Sequence, residues 1–133
     1  NKHIFSSLST FLTGTFDNGL FIINGIPAEG ISLQTAESAV WEELETLKNE
    51  LISEKELQKV KNKAKTILYL SELSVQEKAL SLCMFESFDS ATRIYHEEEN
   101  YLQVSIEDIQ HISNYIFRNE NSSTLYYKKI HNV

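Results

Sequence analysis

All four glycines and the only proline of this 133-residue chain lie between Gly14 and Gly30. Glycine and proline supply the backbone conformations that tight turns need. The turns of the fold are therefore expected before residue 31, and the elements within residues 31–133 must start and end by other means. This distribution favours a turn-rich β segment followed by a long helical one.

The first part of the chain has the pattern of a β-hairpin. Phe5–Thr13 is rich in Ser, Thr and Phe and alternates in part, which predicts a strand. Phe16–Gly19 is a turn signal, because Asn and Gly tolerate positive φ. Leu20–Ile26 predicts a second strand, whose apolar residues fall on both faces and imply at least partial cover on both sides. Pro27 and Gly30 end the hairpin.

From Ser32 onward the apolar period changes from two to about 3.6, which predicts helices. Five helices are expected, each with a residue that can cap its N-terminus: Ser32, Ser53, Ser74, Asp89 and Ser105. Ser123–Lys128 predicts a last strand that returns to the hairpin. The predicted fold class is α+β, an antiparallel sheet of hairpin plus C-terminal strand packed against about five helices. Because three strands make a thin sheet with open edges, we expect further strands upstream of Asn1, or self-association through those edges.

Charge and composition exclude several function classes. The net charge of −7, from 12 basic and 19 acidic residues, repels phosphate backbones, so nucleic acid is not an expected partner. Lysines 55, 59, 61, 63 and 65 form a basic helix face, which we expect to pair with the acidic helix before it. No apolar run reaches the ~18 residues of a membrane helix and no signal peptide is visible, so no membrane partner is expected. The single cysteine, Cys83, is expected to be a buried, inert thiol and suits a cytoplasmic location.

Two polar clusters on predicted helices have some of the residues that chemistry requires. His96–Asn100 resembles an inverted zinc motif, His-x-x-Glu-His, but Asn100 stands where the second histidine should be. An acidic, solvated helix face is therefore the favoured interpretation. Glu107, Asp108 and His111 share one helix face, as in metal or acid–base sites. A surface pair is favoured here too, because no nucleophile or third group accompanies them.

Seven segments, taken in order and spacing, resemble one protein family. They are Thr13–Gly14, Asp17–Ile23, Gly25–Pro27, Glu42–Leu44, Ser53–Lys63, Val104–Gln110 and Ser123–Tyr127. Together they resemble the C-terminal, non-catalytic domain of the pitrilysin/insulinase family of zinc peptidases. The resemblance covers nearly the whole chain and identifies residues 1–133 as one domain, a fragment of that C-terminal domain lacking its first strands.

The family resemblance implies half of a clam-shell of two related domains around a peptide chamber. It places the zinc, the His-x-x-Glu-His helix and a downstream glutamate ligand in the N-terminal partner domain. It therefore implies no catalytic residue, no metal ligand and no cofactor in this chain, which alone should be inactive although its parent is a zinc metalloendopeptidase. Some members have an Arg and a Tyr near the start of this domain, and the Tyr position corresponds to Ser6 here. Ser6 and Phe11 are the candidate substrate-binding residues.

The function implied by the resemblance is to complete the substrate chamber and to help bind extended peptides, by strand addition at a sheet edge. The partners would be a peptide substrate and an N-terminal catalytic domain, of the same protein or of a partner subunit. The alternative is a structural or assembly domain of an inactive relative, similar to processing-peptidase or respiratory-complex core subunits. A free-standing helical binding module is a third interpretation.

Overall fold

The computed structural model describes residues 3–14 and 18–128, within which two strands precede five α-helices. These elements are β1 (Phe5–Leu12), β2 (Phe21–Pro27), α1 (Leu33–Asn49), α2 (Glu54–Glu72), α3 (Val75–Phe88), α4 (Glu97–Gln103) and α5 (Ile106–Ile116). Two 3₁₀ helices occupy Ala91–His96 and Asn119–Asn121. The predicted α+β class, with an antiparallel hairpin and five helices, is confirmed.

The chain divides into two compact units. The first unit comprises Asn1–Asn49 and Ser113–Val133, and the second unit comprises Glu50–Ile112. The division passes through α5, whose last residues belong to the first unit. That residues 1–133 form one domain stays a prediction.

The strands of the hairpin pair in antiparallel register, with Leu8 opposite Gly25 and Leu12 opposite Phe21. The register shifts between Phe5 and Ser7, so Ser6 is an extra residue that forms a β-bulge. Of the predicted turn, Phe16 and Asp17 lie outside the described residues. The predicted partial cover of β2 is confirmed, since Ile22 and Ile23 lie on opposite faces and are both half-buried, whereas Ile26 is 60% exposed.

The first unit packs α1 against β2. Ser32 caps α1 as predicted, since its hydroxyl oxygen accepts a hydrogen bond from the Thr35 N–H at 3.0 Å. The Phe21 ring meets the Phe117 ring edge-on, with centroids 5.2 Å apart. This contact joins the start of β2 to the residue that follows α5.

The sheet differs from the prediction at Ser123–Lys128, which the structure describes and which forms no strand. The hydroxyl groups of Thr124 and Tyr126 instead donate hydrogen bonds to the Glu37 carboxylate on α1, Thr124 at 2.6 Å. Thr and Tyr favour strands only where a neighbouring strand is available to pair with. Here these side chains hold the segment on a helix, so its local pattern does not decide its structure.

Serine caps begin two helices of the second unit as predicted. Ser53 and Glu56 form a complete capping box at the start of α2, and the Ser74 hydroxyl accepts from the Glu77 N–H at the start of α3. The predicted helix capped by Asp89 is different. Asp89 ends α3, and the adjacent Ser90 caps the 3₁₀ helix that precedes α4. Serine and aspartate cap about equally well, so the local sequence alone does not choose between these neighbours.

Few side chains are fully covered. Among the described residues the buried ones are Ala36, Leu57 and Ser113. Helix α3 has apolar and polar residues distributed over all its sides, and none of its residues is buried. In the described part of the chain, no helix combines the length and the apolar character that crossing a membrane requires.

Candidate functional site: the open edge of the hairpin

The hydrogen-bond phase of the hairpin decides which backbone groups of β1 point outward. The Thr13 N–H donates to the Leu20 carbonyl at 3.0 Å, so these two residues form a hydrogen-bonded pair. Hydrogen-bonded and non-hydrogen-bonded pairs alternate along an antiparallel ladder. Counting back from Thr13, the residues whose N–H and C=O groups point away from β2 are Leu8, Thr10 and Leu12. We refer to these outward groups as the β1 edge.

The β1 edge is open. No hydrogen bond from another described residue reaches the outward groups of Leu8, Thr10 or Leu12. The side chains of Leu8 and Leu12 share one face of the strand and are 51% and 70% exposed. Unpaired edges of this kind are templates for another extended chain.

The β1 edge also lacks the protection that natural sheets place on exposed edges. Lysine, proline, inward-pointing charges and bulges normally discourage pairing with a foreign strand. The sequence of β1, FSSLSTFL, contains no charged residue and no proline. Its one irregularity is the bulge at Ser6, which leaves the stretch after it regular.

The two predicted substrate-binding residues lie at different places on β1. The Ser6 hydroxyl donates to the Ile26 carbonyl at 3.1 Å, across the bulge. Phe11 pairs with Ile22, is 51% exposed, and lies on the face opposite to Leu8. They are five positions apart along the strand, a distance of about 17 Å, so the structure does not bring them together. Their role in binding substrate stays a prediction.

The partial zinc motif forms a surface pair. His96 Nδ1 lies 3.9 Å from Glu99 Oε2, and their side chains are 69% and 67% exposed. Within residues 3–14 and 18–128, no group of three or more His, Cys, Asp or Glu residues is arranged to hold a metal ion. The geometry around His96 therefore offers no metal centre.

Asp108 of the second predicted cluster caps α5 together with Ser105. Its carboxylate accepts hydrogen bonds from the Ser105 N–H at 2.9 Å and from the Ser105 hydroxyl at 2.7 Å. These bonds lower the pKa of Asp108 below its ordinary value, and attraction to His111 adds a smaller effect. Because the carboxylate is engaged in the cap, it serves helix initiation.

Glu37 is a polar centre that the sequence analysis missed. Its carboxylate accepts from Thr124, Tyr126 and the Trp41 side chain, and the bond from Thr124 lowers its pKa the most. The hydrogen bond between Tyr126 and Glu37 raises the pKa of the Tyr126 phenol. Thr124 and Tyr126 are 87 and 89 residues away along the chain, so no local motif could have revealed the cluster.

Two lysines of the predicted basic face bind α4 within the second unit. Lys65 Nζ lies 2.7 Å from Glu98 Oε1 and 5.4 Å from the centre of the Tyr69 ring. The Glu98 hydrogen bond raises the pKa of Lys65, and the same bond lowers the pKa of Glu98. Lys61 Nζ donates to the Leu102 carbonyl at 2.8 Å. These contacts hold α2 against α4, so the two lysines have a structural role.

The prediction of a buried Cys83 is wrong, because the thiol is exposed. It lies with Leu82 and Glu86 at a shallow depression on α3. The apolar neighbours of Cys83 in sequence suggested burial. They are equally present on every side of α3, so they do not indicate which side is covered.

Comparison with known proteins finds similarity to one family. The family described as the peptidase M16 inactive domain matches residues 1–64. M16 is the pitrilysin/insulinase family of zinc peptidases. The predicted family is confirmed. Among curated proteins, none matches the sequence of this chain.

Solved structures share the fold of this chain. The inactive peptidase domain of a protein from Bordetella parapertussis, named as a zinc protease, matches with a TM-score of 0.83 and 15% identity over 98% of this chain. A protease from Helicobacter pylori matches with a TM-score of 0.82 and 18% identity over 90% of this chain. A protein from Bordetella pertussis Tohama I, also named as a zinc protease, matches with a TM-score of 0.77 and 16% identity over 90% of this chain. This chain spans 29% of the Helicobacter protein and 71% and 66% of the two Bordetella chains.

Proposed function

We propose that this chain is the non-catalytic C-terminal domain of a zinc metallopeptidase, which completes the substrate chamber and binds extended peptides for a catalytic partner domain. The observation that carries this proposal is the open, uncharged β1 edge. An extended peptide can add to such an edge through main-chain hydrogen bonds, which give affinity with little demand on sequence. Ser6 and Phe11 would flank the bound peptide on β1.

The proposal assigns the chemistry to the partner. Zinc and the groups that activate water would lie in an N-terminal catalytic domain, of the same protein or of a partner subunit. The M16 match supports this division, since it is a match to the inactive domain. Residues 1–133 would be part of one larger C-terminal domain, whose first strands would have to pair at the β2 side for the β1 edge to stay free for peptide. The single cysteine suits a cytoplasmic setting.

Reconstitution tests this function. The chain is mixed with the separately produced N-terminal catalytic domain of its parent, and hydrolysis of an internally quenched peptide is followed. We expect the chain alone to be inactive and the mixture to be faster than the catalytic domain alone. Thr10→Pro should reduce the stimulation because it removes an outward N–H, whereas Thr10→Val keeps that N–H and should preserve it. Hydrolysis by this chain alone, or no stimulation by the wild-type chain, would refute the proposal.

A second candidate function is assembly within an inactive relative, and an observation on the second unit favours it. Leu80, Met84 and Phe88 form an i, i+4, i+8 stripe on α3 and are 57%, 56% and 49% exposed. An apolar stripe of this kind normally marks a protein contact. The sequence of the partner domain distinguishes the two functions, because an intact His-x-x-Glu-His helix indicates an enzyme and a degraded one indicates a scaffold.

A further inference from the structure

The β1 edge is complementary to itself. In the stretch Leu8–Leu12, leucines lie two residues before and two residues after Thr10. Two copies that pair antiparallel about a two-fold axis at Thr10 place Leu8 opposite the second copy's Leu12, and each Thr10 opposite its counterpart. This arrangement is isologous, so both copies use the same residues and the assembly closes at two.

The hydrogen-bond phase of β1 suits this register. The groups that a neighbouring strand must meet are the N–H and C=O of Leu8, Thr10 and Leu12, and these all point outward. In the two-fold register they form three hydrogen-bonded pairs, each with two inter-chain bonds. The exposed leucine side chains lie on one face of β1, so each leucine of one copy gains a leucine neighbour from the other.

We propose that a second copy of this chain occupies the β1 edge, antiparallel, with the two-fold axis at Thr10. The symmetry of the stretch favours a copy over an unrelated strand, and no charge within β1 opposes it. The net charge of −7 on each copy acts against association from other parts of the chain, so added salt should strengthen the dimer. A copy and a peptide compete for the same groups, yet the dimer does not depend on the proposed peptidase role.

Sedimentation velocity over about 1 to 200 µM tests the dimer, because association follows mass action. The wild-type mass should rise from 15.3 kDa toward twice that value, and more completely at higher salt. Thr10→Pro removes an N–H at the two-fold axis but spares the β1–β2 ladder, so it should stay monomeric. Thr10→Val should dimerise like the wild type. Unchanged fluorescence of Trp41, on α1, would show that both variants keep the first unit folded.

Charge exchange tests the register, with native mass spectrometry as the readout. Leu8→Lys mixed with Leu12→Glu should form a heterodimer about fivefold more stable than either variant's homodimer, because the new charges face each other. Leu8→Lys mixed with Leu8→Glu is the matched control and should gain nothing, since residue 8 does not face residue 8. Equal gain in both mixtures, or a wild-type chain that stays monomeric throughout, would overturn the proposal. A monomeric chain that still stimulates the catalytic domain would leave the peptide function standing.

Discussion

Gly25 is the residue of the hairpin at which a single methyl group should have the clearest effect. A Cβ at this position would lie 2.8 Å from Phe5 Cε1, 3.0 Å from Phe5 Cδ1 and 3.2 Å from Leu8 Cδ1. Carbon atoms prefer separations of about 3.5–4.0 Å, so Gly25→Ala forces the Phe5 ring off its site. The expected result is a loss of stability in the first unit.

Two opposing effects determine the size of that loss. Replacing glycine by alanine within a strand gains roughly 0.5–1 kcal/mol, because the unfolded chain becomes less flexible. Overpacking costs typically about 1–3 kcal/mol, and the overlap with the Phe5 ring places Gly25→Ala in that class. We therefore expect a net destabilisation of about 1 kcal/mol. In a Phe5→Leu background the ring is gone, so the same substitution should become neutral or stabilising.

Trp41 provides the assay. It is the only tryptophan of the chain and lies on α1, which packs against β2 in the first unit. Its fluorescence in urea, at about 1 µM chain to limit association, should report the stability of that unit. Gly14→Ala is the matched control, because a Cβ there meets no atom within 4 Å. An unaltered midpoint for Gly25→Ala, or an equal loss in the Phe5→Leu background, would refute the reasoning.

Two further perturbations test the core and the Glu37 contacts. Leu57 is 4% exposed, so Leu57→Ala should lower the stability of the second unit by about 2–4 kcal/mol. Circular dichroism in urea measures this loss. Val60→Ala, at a site 59% exposed, should change that stability by less than about 0.5 kcal/mol. Hydrogen bonds lower the pKa of Glu37 in the folded state, so its stabilising effect is present at neutral pH. That effect should be lost as the pH falls through the lowered pKa, and Glu37→Gln should remove the corresponding change in Trp41 fluorescence. A transition that persists in Glu37→Gln would contradict this assignment.

Features that depend on neighbouring residues were predictable from the sequence. The caps at Ser32, Ser53 and Ser105 each join a side chain to a backbone group three residues away, so the local sequence contains the whole interaction. The hairpin follows from alternation and turn residues in the same way. The family resemblance also rested on the order and spacing of seven segments, which can be read directly from the sequence.

Features that depend on distant residues were not predictable. The pairing of Tyr126 with Glu37 spans 89 residues and replaces the expected third strand. The exposure of Cys83 depends on which side of α3 is covered, and an apolar pattern on all sides does not show this. The open edge was expected in general terms. That the N–H and C=O groups of Thr10 point away from β2 follows only from the Thr13–Leu20 hydrogen bond, which sets the phase of the ladder.

The division of the chain into two units has a consequence for its synthesis. The second unit is one continuous segment, Glu50–Ile112, and its helices can pack as soon as they leave the ribosome. The first unit is completed only when residues after Ser113 return to a hairpin and helix made much earlier. Closing that long loop is slow compared with local helix pairing. During translation the nascent hairpin and α1 therefore lack the contacts that Phe117 later makes with Phe21 and that Thr124 makes with Glu37, and this interval is when chaperones or misassembly have the most access to them.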